Sequence, residues 1–261
     1  MSNSTKLKVV TTSWDDGDSA DLKLAELLRS KGILGTFYVP MRYREHPMSH
    51  AELRSLADEG FEIGAHGWNH KLLWRLQPDE ALEEVKACKI ALEDILGKRV
   101  DMFCYPKGRY DANAVRAVQE AGYAGARTVR MLATRPPSNP FRMPMTLQAY
   151  PHAPIIYFRN IGRSRSFESL RSCLVQLPRL GNWVELGKSL FDRVLNEGGV
   201  WHLSGHSWEI ERLGIWDALC ELLDYVCQRD EVRYVPNCGL LQLKSLNLSR
   251  VERESLHCDI E

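Results

Sequence analysis

Short apolar runs alternate with amphipathic stretches along most of the chain. Residues 7–14 (LKVVTTSW) are β-branched and run into Asp15-Asp16-Gly17, the pattern of a buried strand ending at a turn. Residues 20–31 place Leu24, Leu27 and Leu28 on one helical face, with Asp18 or Ser19 as cap. Residues 36–39 and 61–65 predict strands. Between them, Ser49 and Glu52 form a capping box opening a short helix that Gly60 stops. Pro78 suits a first helical position, and Ala81, Val85, Cys88, Leu92 and Ile95 follow on one face until Gly97. Residues 102–105 predict a fourth strand, Asp111 caps another helix, and residues 123–129 predict a fifth strand.

Periodicity weakens over about 130–182, with one strand expected near 143–147. It returns as a helix at 183–197, a strand at 200–203, a helix at about 213–228 and a strand at 232–235. A polar tail begins at about 244. Strands alternating with helices at this spacing imply βα units and a parallel sheet. Seven or eight such units predict an α/β fold, a closed or nearly closed barrel in one domain spanning 1–261. The stretch 130–182 is expected as an irregular insertion over one barrel face.

Lys+Arg and Asp+Glu both number 34, so no dedicated nucleic-acid or anionic-membrane surface is expected. The locally basic residues 159–171 fit a solvated face or loop better than an anion-binding patch. Seven scattered cysteines without a CxxC pair fit a reducing compartment better than a disulfide framework. The N-terminus lacks the apolar core of a signal peptide, and no apolar run reaches membrane-spanning length. Together these features predict a cytoplasmic protein.

Four polar clusters follow strands: Asp15-Asp16-Gly17, His66-Gly67-Trp68-Asn69-His70, Tyr105-Pro106-Lys107-Gly108, and His206. The carboxyl ends of barrel strands are where active sites assemble. Singly, each is ambiguous. HxxxH brings two imidazoles close enough to share a cation but also occurs by chance. Asp-Asp-Gly usually marks a turn, and His206 fits a core or loop histidine equally well. Asp15 and Asp16 converge only if the backbone bends there, which Gly17 permits.

The combination resembles the polysaccharide deacetylases (carbohydrate esterase family four, the NodB-homology domain) over roughly residues 7–240. The resemblance implies a distorted (β/α) barrel. It assigns Asp15 as catalytic base and Asp16, His66 and His70 as metal ligands. The motif at Cys104-Tyr105-Pro106-Lys107-Gly108 shapes the groove, with Tyr105, Pro106, Lys107 and Gly108 at substrate and the Lys107 amide on the oxyanion. His206 in Leu203-Ser204-Gly205-His206 is the general acid, with His202 as alternative. The chain departs from the family at three places. Gly67 replaces a hydroxyl residue. Cys104 replaces the arginine that orients the base, a role for which Arg142 is the candidate. The motif flanking the acid histidine is missing.

A carboxylate and two imidazoles suit zinc, with cobalt, nickel or iron also compatible. The implied reaction is metal-dependent removal of an N-acetyl group from an amino sugar. Its expected pH profile is bell-shaped, limited by Asp15 on the acid side and His206 on the basic side. Trp14, Trp68, Trp74, Trp201 and Trp208 lie near the motifs and serve either sugar stacking or the core. A cytoplasmic location points to a nucleotide- or lipid-linked precursor, as in O-antigen or cell-surface polysaccharide synthesis. The alternatives are a small-amide or N-formyl hydrolase of the same superfamily and a catalytically decayed carbohydrate-binding protein.

Overall fold

The computed structural model describes residues 6–163 and 177–243. Its strands are β1 (Lys8–Asp15), β2 (Gly35–Val39), β3 (Glu62–Ala65), β4 (Met102–Cys104), β5 (Gly125–Arg127), β6 (Leu147–Gln148), β7 (Gly199–Gly205) and β8 (Arg233–Tyr234). The helices are α1 (Asp21–Ser30), α2 (His50–Asp58), α3 (Pro78–Leu96), α4 (Ala112–Glu120), α5 (Pro154–Arg163), α6 (Trp183–Glu197), α7 (Ser207–Leu213) and α8 (Trp216–Val226).

All strand pairs are parallel, in the order β5-β4-β3-β2-β1-β7-β6, and β8 pairs with the amino-terminal half of β1. Met143 bridges Arg127 at one end of this sheet, and Leu147 pairs with Leu203 of β7 at the other. The segment 143–148 thus ties the two ends together and curls the sheet into a distorted (β/α) barrel. Helices cover the outside, so β1 is buried on both faces from Val9 to Asp15, without alternation of buried and exposed positions. Trp14, Phe37, Phe103, Phe191 and Trp201 fill the core.

Local signals act as the sequence suggests at α2, where the Ser49–Glu52 capping box forms, and at α3, which ends on left-handed Gly97. Asp111 caps α4 through the Ala114 amide. Three elements differ. Asp18 does not cap α1; its carboxylate accepts from the Ala20 amide and pairs with Arg44. The helix expected at about 213–228 forms as α8, and a separate short helix, α7, precedes it across left-handed Gly214. The irregular stretch holds an amphipathic helix, α5, beyond β6. Residues 164–176 of that stretch and the tail from 244 lie outside the described residues.

Among the described residues, no helix is long and apolar enough to cross a membrane. Cys88, Cys104, Cys220, Cys227 and Cys238 are free thiols.

Candidate active site

The bend that brings the two aspartates together lies in Asp16 itself, which is left-handed at φ 84, followed by Gly17 at φ 64. Both carboxylates then face a cavity of about 470 Å³ at the carboxyl ends of β1, β3, β5 and β7. Left-handed aspartate is uncommon and costs backbone energy, which the surrounding barrel sustains.

Asp16 Oδ1 lies 3.7 Å from His66 Nε2 and 3.6 Å from His70 Nε2. The three side chains are nearly or fully buried, and their ligand atoms fall within 4.8 Å of one another. Each is steadied from behind. The His66 Nδ1–H donates to the Cys104 carbonyl at 2.8 Å, which leaves Nε2 as a lone pair facing Asp16. The Trp208 indole N–H donates to Asp16 Oδ2 at 2.9 Å. Tyr43 stacks on His70 at 3.9 Å. Burial lowers the pKa of both histidines, His70 to about 3, so each imidazole is neutral. Asp16 Oδ1 is buried with no hydrogen-bond partner among the described residues. An orphaned carboxylate oxygen facing two neutral imidazole nitrogens fits a divalent cation of the zinc type.

A second donor set, Asp15, His66 and Cys104, is also compact. It does not suit a cation, because burial pushes up the Cys104 thiol and Asp15 already pairs with an arginine.

That arginine is Arg127, at the end of β5. Its guanidinium donates to Asp15 Oδ1, and both side chains are buried. Burial acts to raise the Asp15 pKa. Arg127, with His66 and His206, outweighs it and holds the carboxyl well below the usual carboxylate range. The Cys104 thiol sits 3.7 Å from Asp15 Oδ2.

His206 follows β7 with Nε2 4.0 Å from Asp15 Oδ2, and its Nδ1–H donates to Glu209 Oε2 at 2.6 Å. Burial disfavours its charged form, but Glu209, Asp15 and Asp16 prevail and raise its pKa. His202 is different: it is buried between Ser13 and Pro144, and burial with Arg127 nearby lowers it to about 3. It has no place in the cavity.

The loop after β4 divides in two. Lys107, left-handed at φ 54, and Gly108 line the cavity. Gly108 admits no side chain: a Cβ there would meet Val129 at 2.2 Å. Tyr105 and Pro106 are buried, the Tyr105 hydroxyl donating to the Phe141 carbonyl at 3.1 Å, and neither is among the residues lining the cavity. Arg142 lies over the Tyr110 ring at 5.8 Å, and the guanidinium on Asp15 is that of Arg127 instead. Gly67 needs no hydroxyl, because Glu84 accepts from the Asn69 and Lys71 amides and holds the histidine loop. Of the tryptophans, Trp14 and Trp201 are core, Trp208 lines the cavity and Trp74 is exposed.

Residues 2–126 match the polysaccharide deacetylase family model. The match supports a polysaccharide deacetylase domain and includes Asp15, Asp16, His66, His70 and Lys107; Arg127 and His206 lie beyond it. The peptidoglycan-N-acetylmuramic acid deacetylase PdaC of Bacillus subtilis is 32% identical over 104 residues, covering 39% of this chain and 22% of that protein. Another from the same organism, PdaA, is 24% identical over 46% of each. The chain thus spans less than half the length of these curated relatives. A family 4 acetyl xylan esterase from Clostridium thermocellum, solved with a cobalt ion, superposes over 91% of this chain and 92% of its own (TM-score 0.59, 16% identity). That likeness shows the fold, a distorted (β/α) barrel.

The residues that sequence reasoning missed are Arg127, Glu209, Gln148 and His152. The last two line the cavity 2.9 Å apart. Glu209 carried a signal, three residues beyond a histidine that a helical turn brings back to it. Arg127, inside an apolar strand pattern, carried one too: a charge on a buried strand needs a partner.

Proposed function

We propose that the chain is a metal-dependent carbohydrate N-deacetylase, hydrolysing the N-acetyl amide of an amino sugar in a glycan or glycan precursor. The arrangement that carries this reading is Asp15, held between Arg127 and His206 beside the Asp16–His66–His70 cluster. Those three residues would hold the metal, zinc being favoured and cobalt, nickel or iron compatible with the donors. A divalent ion there supplies Lewis acidity, polarising a carbonyl oxygen and acidifying water.

The side chains do the proton work. Asp15 accepts a proton from the attacking water. The Lys107 amide and the left-handed loop around it cradle the oxyanion. His206, charged and fixed by Glu209, donates from Nε2 to the departing amine, which leaves poorly unless protonated. Because Arg127 keeps Asp15 ionised into strong acid, the acid limb of the profile falls lower than an ordinary carboxylate would set. Arg127 and Glu209 supply the partners for base and acid that the sequence motifs lack, which weighs against a decayed, binding-only site.

The test is acetate release from N-acetylated amino sugars by purified protein. Asp15→Asn is expected to cost on the order of 10²–10⁴-fold in rate with the fold intact. Near-wild-type turnover by that variant sinks the assignment. A nucleotide- or lipid-linked precursor, as in cell-surface polysaccharide synthesis, is the substrate form we favour. Parallel assays on free and phosphate-linked sugars address it.

A further inference from the structure

A second cavity, of about 630 Å³, adjoins the catalytic one and shares Lys107, Gly108 and Val129 with it. Its size falls within the range of small-molecule sites. Lys107, Arg109, Arg130 and Arg159 line it, from the loop after β4, the segment after β5 and helix α5. Asp111 is the one acid on its wall, and its carboxylate is engaged by the Ala114 amide as a helix cap.

Four cations gathered from three separate elements are unexpected in a chain with 34 basic and 34 acidic residues. Several other arginines find carboxylates: Arg29 pairs with Glu59, Arg44 with Asp18, Arg193 with Glu197. None of Lys107, Arg109, Arg130 or Arg159 is in an ion pair among the described residues. Like charges brought together repel unless an anion joins them. Forked guanidinium donors match phosphate and carboxylate oxygens.

We infer that this cavity is a subsite for an anionic group, phosphate or carboxylate, carried by the glycan one position from the reacting amide. The inference rests on the deacetylase reading for the identity of the adjoining site. Lys107 links the two cavities, so an anion held by the arginines sits beside the loop that faces the acyl group. Trp74, exposed on the same wall, offers a flat face to a ring.

The experiment compares N-acetylglucosamine, its 1-phosphate and N-acetylmuramic acid as substrates and, by calorimetry, as ligands. The wild type is expected to favour an anionic sugar over the neutral one by about tenfold or more in kcat/KM and in Kd, as charged hydrogen bonds allow. That advantage should shrink as salt rises. Preference for the phosphate or for the carboxylate identifies the source of the charge. The double variant Arg130→Gln/Arg159→Gln should lose the advantage and keep wild-type turnover of the neutral sugar. Turnover of all three sugars with no anion preference overturns the subsite and leaves the deacetylase reading standing. Anion-dependent binding with no turnover of any sugar does the reverse. An anion preference unchanged in the double variant also overturns the subsite.

Discussion

The Arg127 guanidinium donates to Asp15 Oδ1 across the barrel interior, although β4, β3 and β2 lie between their strands in the sheet. It is the buried countercharge that lets Asp15 stay ionised out of water. Removing it in Arg127→Met strands a buried carboxylate. Stability should fall by about 3–5 kcal/mol in chemical denaturation. Deacetylation should fall by orders of magnitude, and the acid limb should move to higher pH, since the influence lowering the Asp15 pKa is gone. Arg127→Lys keeps the charge without the fork and should lie between.

Glu209 raises the pKa of His206, so the imidazolium is retained to higher pH than for a free histidine. Activity that needs this charged form is full below the His206 pKa and lost as pH rises through it. Glu209→Gln removes a raising influence, so the basic limb of kcat/KM should move to lower pH. A limb that stays put means His206 is not the acid.

Trp208 donates to Asp16, and its ring lies near the guanidinium groups of Arg44 and Arg212, at 4.6 and 5.2 Å. Trp208→Phe keeps a ring beside them and deletes the hydrogen bond. Metal affinity, measured by competition with a chelator, should weaken by about 10–100-fold, the usual effect of losing a group that orients a ligand. Bound metal also stabilises the fold by about 2.7 kcal/mol at a hundred times its Kd, so the shift in unfolding on adding zinc should shrink in parallel.

Gly108 adopts φ 62, and a Cβ there would meet both γ-carbons of Val129 within 2.4 Å. Gly108→Ala should therefore cost about 1–3 kcal/mol from overpacking alone, with added strain from the left-handed backbone. It should also impair turnover by moving the Lys107 loop. Val129→Ala in the same chain should recover part of the stability, which a thermal melt of the double variant reads out.

Periodicity and capping carried most of the fold. The run at 7–14, the capping box at Ser49 and the Pro78-to-Gly97 helix are local signals, and local physics suffices to form those elements. The segment 143–148 was only partly legible, because a strand that pairs for two residues is held by its neighbours rather than by its own pattern. Helices α5 and α7 were missed: α5 is amphipathic but short and set among prolines, and α7 spans only seven residues behind Ser-Gly-His-Ser.

The sequence by itself determined the βα alternation and the order of Asp15, Asp16, His66, His70 and His206 along strand ends. Those depend on spacing, which is written in the chain. Only the tertiary structure decided which cation neutralises Asp15. Arg127 and Arg142 are both arginines near β5, and sequence distance does not distinguish them. β5 ends with Arg127 directed into the closed barrel, while Arg142 rests on Tyr110 outside it. A buried charge selects its partner by proximity in space, and that proximity exists only once the two ends of the sheet have met.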